Sequence, residues 1–168
     1  MAKRYGTDET RARYHGLRER MLRFTAAELK LEPELVANGR AFGVMMDFKI
    51  GADDASIYCS NEAGGYVHAG LYTSTTFMVI GENFGEAVNE AARAFIELCP
   101  DYLPEMTPTT TFPGPRRRKV RFYAQTEDGV LSVERPAGGE LADLEEAGHG
   151  VVVRISEVVE AGKRRPVN

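Results

Sequence analysis

The sequence between residues 41 and 73 is AFGVMMDFKIGADDASIYCSNEAGGYVHAGLYT, and it contains three apolar segments separated by two polar turns. Residues 41–50 are almost continuously apolar. Residues 55–60 and 65–73 are rich in isoleucine, valine and tyrosine, as strands commonly are. Glycine, aspartate and asparagine fill the intervening turns. Short strands joined by such turns predict an antiparallel meander.

A helix is predicted on the C-terminal side of this meander, over residues 84–99. Its apolar residues recur every three or four positions and share one helical face: Phe84, Val88, Ala91, Ala92, Phe95, Ile96 and Cys99. Asn83 and Glu86 predict an N-terminal cap, and Pro100 predicts the end of the helix. A proline-rich loop over residues 101–118 follows, either as a mobile connection or as a functional flap.

Two further strands are predicted at residues 119–125 and 130–134, where apolar and polar residues alternate. The sequence Glu127-Asp128-Gly129 between them is typical of a hairpin turn. A short helix closed by Gly148 is expected next, and residues 151–161 favour a helix over a strand. This order predicts an α+β fold with a five-stranded, mostly antiparallel sheet covered by helices.

The N-terminal third is predicted to be helical, because its apolar residues also recur every three or four positions. One side of the first helix carries Tyr14, Leu17, Met21 and Phe24, and the opposite side carries Arg13, Arg18, Arg20 and Arg23. Thr25 and Glu28 have the spacing of a capping box, and Pro33 with Gly39 is typical of the two ends of a short helix.

The chain is therefore divided into three parts. Residues 1–40 are predicted to be a helical segment packed on the core, residues 41–161 an α+β domain, and residues 162–168 a basic, flexible tail. The length of 168 residues, with 43% hydrophobic and 27% charged residues, is ordinary for one globular domain.

Cysteine content and hydropathy favour a soluble, cytoplasmic protein. Cys59 and Cys99 lie in apolar runs and are too few for a disulfide framework, which favours a reducing compartment. No apolar stretch approaches the ~18 residues of a membrane-spanning helix, and no apolar signal-peptide core follows the basic N-terminus. We expect no membrane association.

Charge is distributed unevenly along the chain. Residues 1–30 carry +4 (8 basic, 4 acidic), residues 31–115 carry −9 (3 and 12), and residues 116–168 carry +1 (10 and 9). An acidic middle disfavours nucleic-acid binding by the core. The densest basic run is Arg116, Arg117, Arg118 and Lys119. It is a candidate site for phosphates or an acidic partner, and the alternative is a solvated entry to a strand.

Two motifs resemble those of a group of uncharacterised small bacterial proteins. Residues 56–60 have the pattern Ser-x-Tyr-x-Ser with glycines following, and residues 122–129 have the pattern Phe-Tyr-x-x-Thr-x-Asp-Gly. The likeness extends over residues 42–159, although this chain has a single Gly64-Gly65 pair where the group has more glycine. The resemblance implies the hairpin and the strand order, and it implies no catalytic residue. The order of elements also looks like that of profilin and roadblock domains.

Cys59 and His68 are the candidate catalytic residues. A nearby imidazole can lower the pKa of a thiol and make it nucleophilic, with Asp47 or Glu62 orienting the histidine. The alternative is that Cys59 and His68 are ordinary neighbours on two paired strands. In that case Cys59 belongs to the core.

Carboxylates and glycines suggest two further kinds of site. Asp47, Asp53, Asp54 and Glu62 could gather a hard cation, but their spacing fits no ligand loop, so no metal is predicted. Ser60, Asn61, Gly64 and Gly65 could form an anion-binding nest, against the alternative of a tight turn. The three histidines are too far apart in sequence for structural zinc. No cofactor is predicted.

With no catalytic motif in the sequence, we expect a non-enzymatic protein-interaction or regulatory module of bacterial type that self-associates as a homodimer. The amphipathic helices and the proline-rich loop are the expected contact surfaces. The alternative is a small cysteine-dependent hydrolase or transferase that uses Cys59 and His68.

Overall fold

A computed structural model describes residues 8–75, 78–81 and 84–163. Within these ranges the chain forms four α-helices: α1 (Asp8–Leu22), α2 (Pro33–Val36), α3 (Glu86–Leu98) and α4 (Ala142–Lys163). The strands are β1 (Gly43–Ile50), β2 (Asp53–Asn61), β3 (Val67–Thr73), β4 (Met78–Gly81), β5 (Thr107–Pro108), β6 (Lys119–Thr126) and β7 (Gly129–Pro136).

The strands form one antiparallel sheet in the order β4-β3-β2-β1-β6-β7-β5. The α+β class and the antiparallel meander are confirmed. The predicted count of five strands is wrong, because the described ranges contain six strands of four or more residues and the two-residue β5. The two missed strands gave weak signals: β4 has four residues, and β5 ends in a proline, which cannot donate to a ladder.

Both faces of the sheet are covered. In β1, Val44 and Met46 belong to the larger apolar core beneath α3 and α4, whereas Met45 belongs to a smaller core beneath α1. Side chains alternate along a strand, so a strand buried on both faces must be apolar at successive positions. This requirement explains the nearly continuous apolar run at residues 41–50.

Helix α1 covers one face of the sheet with a stripe that is only partly apolar. Tyr14 and Met21 are buried as expected and Leu22 is buried as well, but Arg18 is also buried, with 2% of its surface exposed. The prediction that Arg18 lies on the solvent side of α1 is therefore wrong. Its buried position is stabilised by polar partners on the sheet, which the next subsection describes.

Helix α3 is confirmed as the amphipathic helix of the opposite face, with Val88, Ala92, Phe95 and Ile96 buried. The predicted cap residue Asn83 lies outside the described residues. Pro100 ends the α-helical geometry, but the chain continues as a 3-10 helix over Cys99–Glu105. The first part of the predicted loop at 101–118 is therefore helical, and its next part is β5.

The C-terminal region is one helix instead of two. The helical preference of residues 151–161 is confirmed, but Gly148 does not close a short helix, because α4 continues through it. A Cβ atom on Gly148 would lie 2.8 Å from Met46 and 3.3 Å from Phe95, so glycine allows α4 to approach the sheet closely. Helix α4 includes Gly162 and Lys163 of the predicted tail, and residues 164–168 lie outside the described ranges.

The segment between α1 and β1 contains the two predicted local motifs. Thr25 and Glu28 exchange the reciprocal hydrogen bonds of a capping box, although the box begins a single turn instead of a helix. Helix α2 begins at Pro33, and Gly39 has a φ of +69° in the turn that leads to β1. Among the described helices, none has the length and apolar content needed to cross a membrane.

Substitution of Gly148 by leucine is expected to destabilise the protein by about 1–3 kcal/mol, because the new side chain would overpack the contact between α4 and the sheet. Gly150→Leu is the matched control, since the space around its Cβ position is open. The control should be neutral or stabilising by up to about 1 kcal/mol through helix propensity. Urea denaturation measures both, and equal stability of the two variants would contradict the packing role of Gly148.

Candidate functional site

Cys59 and His68 lie on neighbouring strands but on opposite faces of the sheet. In the ladder between β2 and β3, Cys59 is paired with Ala69, and His68 is paired with Ser60. Because side chains alternate along a strand, the thiol and the imidazole point in opposite directions. Cys59 is buried in the core beneath α3 and α4, whereas the His68 ring lies 5.9 Å from the Tyr58 ring. The structure does not assemble the hypothesised pair.

Both thiols lie in surroundings that favour the neutral form. Burial raises the pKa of Cys59 above the ordinary range for a thiol, and burial raises the pKa of Cys99 to about 12. The thiolate is the reactive form, so these cysteines fit a structural role. Of the two carboxylates considered as orienting groups, Glu62 Oε1 lies 3.8 Å from His68 Nδ1, but Asp47 pairs with Arg18.

The acidic residues considered for metal binding, Asp47, Asp53, Asp54 and Glu62, are spread over separate contacts. Asp53 accepts a hydrogen bond from Thr75 at 3.3 Å, and Asp54 pairs with Lys49. Across the part of the chain that the structure describes, no three His, Cys, Asp or Glu side chains are grouped to hold a metal.

The candidate anion nest is a tight turn that holds a carboxylate of the chain itself. Ser60 is buried in β2, and Asn61 is the last residue of that strand. Gly64 and Gly65 have φ angles of +75° and +78°. The Gly64 N–H donates a hydrogen bond to Glu32 Oε1 at 3.1 Å. The turn therefore presents a donor to a carboxylate, as a nest would.

Half of the basic run pairs with one buried carboxylate, that of Glu134, which also pairs with Arg121. Arg116 donates to Glu134 through its backbone N–H at 3.0 Å and through its guanidinium, and Lys119 Nζ lies 3.9 Å from the same carboxylate. Burial would raise the pKa of Glu134, but the hydrogen bonds from Arg116 and the charges of Arg121 and Arg116 lower it. In the described ranges, Arg117 and Arg118 are exposed and make no ion pair.

A buried polar network joins α1 to the centre of the sheet. Arg18 Nε donates to Asp47 Oδ2 at 2.8 Å, and a second guanidinium nitrogen binds the same oxygen. Ser56 Oγ donates to Asp47 Oδ1 at 2.5 Å, and Tyr14 completes the network by donating to Ser56 at 2.7 Å. Burial would lower the pKa of Arg18, but Asp47 raises it overall, so the guanidinium stays charged.

Arg18 also holds down the proline-rich segment, which we define as residues 107–118. Its guanidinium donates to the Phe112 carbonyl at 2.5 Å and to the Pro113 carbonyl at 3.1 Å. Tyr123 donates to the same Pro113 carbonyl at 2.6 Å, and the Arg18 guanidinium lies 5.1 Å from the centre of the Tyr123 ring. This part of the segment is therefore tethered to the sheet and to α1 and does not act as a free flap.

Gln125 satisfies backbone groups at the C-terminal end of α1. Its amide nitrogen donates to the Met21 and Phe24 carbonyls, each at 2.9 Å, and its amide oxygen accepts from Tyr58 at 2.8 Å. A Cβ atom on Gly43 would lie 2.2 Å from that amide oxygen, so Gly43 leaves room for Gln125. The amide therefore binds two carbonyls at and just after the end of α1 and ties this end to β6.

A large cleft lies where these tethers meet. We call it the proline cleft. It has a volume of about 740 Å³ between the turn at residues 23–27, residues 108–112 of the proline-rich segment and the β6–β7 turn. Phe24, Phe42, Phe112 and Val130 supply apolar surface, Glu127 and Asp128 supply negative charge, and Arg23 supplies one positive charge. Aromatic surface beside two carboxylates suits the binding of a basic side chain.

The sequence interpretation missed the role of Arg18 and considered Asp47 only as an orienting or metal-binding carboxylate. One available signal was the position of Asp47, a lone charged residue between Met46 and Phe48 in an apolar strand. Such a residue needs a buried partner. The other signal was Arg18, four residues after Tyr14 and therefore on the same helical face.

Comparison with protein family models, with curated proteins and with solved structures finds no match. The resemblance to small bacterial proteins and the profilin or roadblock type of order therefore stay predictions.

Arg18→Met is expected to destabilise the protein by about 3–5 kcal/mol, because it leaves the Asp47 carboxylate buried without its charge partner. Arg18→Lys keeps the charge but loses the forked donors, so its cost should be smaller. The double variant Arg18→Met/Asp47→Leu should recover most of the loss, since neither buried charge remains. Denaturant unfolding measures all three. A double variant no more stable than Arg18→Met would contradict the pairing.

Neither thiol is expected to react with an aromatic disulfide reagent in the folded protein at neutral pH, because both side chains are buried and burial raises both pKa values. Labelling should occur only after unfolding, so both thiols should become reactive together as urea unfolds the protein. Rapid labelling of Cys59 in the native state would contradict its assignment to the core.

Proposed function

We propose that this chain is a non-enzymatic protein-interaction module that self-associates through the two ends of β6. The observation that supports the proposal is that the two ends of β6 carry unpaired charges of opposite sign. Arg117 and Arg118 precede β6, Glu127 and Asp128 follow it, and all four side chains are exposed. None of the four makes an ion pair within the described ranges.

These charges are too far apart to neutralise one another within one copy. Nine residue steps separate Arg118 from Glu127, which corresponds to about 30 Å of extended strand. The screening length at physiological salt is about 8 Å, so the two ends do not interact through solvent. Exposed charges of opposite sign at the two ends of one strand are complementary to those of a second, antiparallel copy.

A two-fold axis fits this arrangement. Because β6 is paired on both sides with β1 and β7, the contact is made by its exposed ends and not by strand pairing. With two copies antiparallel, the basic end of each lies beside the acidic turn of the other. The contact is then made twice, and the assembly closes as a dimer. Exposed charge pairs contribute little affinity individually, but opposed charges select the orientation and speed the encounter.

The proline cleft supplies the apolar part of the contact. Glu127 and Asp128 line it together with Phe112 and Phe24. An arginine of the second copy can place its guanidinium against these carboxylates and its methylene groups against the rings. The chain already contains such a contact, since the Arg23 guanidinium lies 5.1 Å from the centre of the Phe112 ring.

Two observations favour this proposal over its alternatives. The placement of Cys59 and His68 on opposite faces weakens the cysteine-dependent hydrolase or transferase. The contacts of Arg116 and Lys119 with Glu134 reduce the positive charge available to a nucleic acid at the basic run. A polyanion would also meet the acidic turn at the far end of the same hairpin.

Two charge-reversal variants test the proposal. The variant Glu127→Lys/Asp128→Lys has two basic ends, and Arg117→Glu/Arg118→Glu has two acidic ends. We expect the wild type to sediment as a dimer at micromolar concentration and low salt. Each variant alone should dimerise about 100-fold more weakly because like charges would face each other. An equimolar mixture should restore the dimer, since every contact then joins opposite charges.

Asp143→Lys/Glu146→Lys is the matched control, because it changes the net charge by the same amount on exposed positions of α4. It should dimerise like the wild type. A wild type that is monomeric at tens of micromolar, or variants that do not recover on mixing, would contradict the proposal.

A further inference from the structure

A second cleft lies between the segment that precedes β1, the turn between β2 and β3, and the C-terminal half of α3. We call it the tyrosine cleft, and its volume is about 470 Å³. Its lining includes the apolar residues Leu35, Ala41, Val67, Ile96 and Pro100. A concave apolar surface with a few polar groups is the usual form of a small-molecule site.

The polar groups of this cleft include two arginines. Arg40, Arg93 and Asn61 line it together with one carboxylate, that of Glu97. The Arg93 guanidinium is held in place by the Gly65 carbonyl at 3.3 Å and by Glu86 at 3.7 Å, and its side chain remains 43% exposed. Within the described ranges, the side chains of Arg40 and Asn61 make no hydrogen bond or ion pair. Their donors are free for a ligand.

The turn beside these groups already binds a carboxylate. The Gly64 N–H donates to Glu32 Oε1 at 3.1 Å. The backbone N–H groups of Glu32 and Gly64 lower the pKa of that carboxylate. Backbone donors at this turn therefore stabilise a negative oxygen, and Arg40, Arg93 and Asn61 present further donors in the neighbouring cleft.

Tyr66 adds an exposed aromatic ring to the same place. It is 71% exposed, the largest fraction among the exposed large hydrophobic side chains of the described structure. Its ring lies close to Gly64, where an added Cβ atom would meet Cε2 at 3.4 Å. The ring is therefore supported by the turn while most of its surface stays open to stacking with a planar ligand.

We infer that the tyrosine cleft binds a small aromatic monocarboxylate. The carboxylate binds Arg40, Arg93 and the Asn61 amide, and the aromatic body lies on the apolar floor beside Tyr66. Glu86 lies 3.7 Å from Arg93, so Arg40 is the one arginine of the lining without a carboxylate partner in the described ranges, and a ligand with a single carboxylate matches it. The proposal is independent of self-association, because none of these residues lies at the ends of β6.

Phenylacetate is a suitable probe, and two-dimensional ¹H–¹⁵N NMR on the full chain is the measurement. We expect saturable shifts of the Gly64 and Gly65 amides and of the Asn61 side-chain amide, with a Kd in the millimolar range that is ordinary for so small a ligand. Phenylacetamide has the same shape without the charge and should bind at least about tenfold more weakly. Inorganic phosphate should also bind more weakly than phenylacetate.

Arg40→Gln and Arg93→Gln are each expected to weaken phenylacetate binding about tenfold, and Tyr66→Ala about fivefold. Arg154→Gln, at an exposed position of α4, is the control and should not change the Kd. The Glu127→Lys/Asp128→Lys variant should bind phenylacetate like the wild type, so failure of the dimer proposal and failure of this one are distinguishable.

Three results would overturn the inference. The first is the lack of saturable shifts at about 20 mM phenylacetate. The second is equal binding of phenylacetate and phenylacetamide, and the third is an unchanged Kd in Arg40→Gln or Arg93→Gln when the spectra show a folded protein.

Discussion

The contact between the Arg18 guanidinium and the Asp47 carboxylate connects three parts of the chain that lie far apart in sequence. One partner comes from α1, the other from the central strand β1, and two further donors of the same guanidinium bind the Phe112 and Pro113 carbonyls. A buried ion pair is costly to desolvate and gives little net stability compared with an apolar pair. Its directional hydrogen bonds instead specify one arrangement of α1, sheet and proline-rich segment.

This arrangement determines where the exposed charges of the protein lie. The two carbonyls that Arg18 binds belong to the proline-rich segment, which continues to Arg117 and Arg118 and forms one wall of the proline cleft. Glu134 holds the end of the same segment through Arg116. Charges inside the protein thus fix the backbone, whereas charges at its surface are left available for partners. Burial decides whether a charge fixes the backbone or stays available at the surface, because solvent and salt screen an exposed charge but screen a buried ion pair much less.

The regular parts of the fold could be predicted from sequence because their signals are local. The apolar run of β1, the alternation in β6 and β7 and the single apolar face of α3 each follow from periodicity within one element. The Cys59–His68 hypothesis was weaker because it depended on the register between β2 and β3. A shift of one residue reverses the face of every side chain, and the sequence of the turn did not fix that register. Gly148 was misinterpreted for a related reason, because its role is a contact with Met46, distant in sequence.

The two clefts could not be predicted, because each is formed between elements that are distant in sequence. The turn at residues 23–27 forms one wall of the proline cleft, and residues 35–41 form one wall of the tyrosine cleft. The rest of each lining comes from the sheet and its turns, from α3 and the residues after it, or from the proline-rich segment. Three tethers hold these N-terminal walls in place: Arg18 on Asp47, Gln125 on the Met21 and Phe24 carbonyls, and Glu32 on the Gly64 amide. Of the three, only the first two are buried, so the wall of the proline cleft is held more firmly than that of the tyrosine cleft. Because both clefts depend on the N-terminal segment, that segment shapes two candidate surfaces as well as covering one face of the sheet.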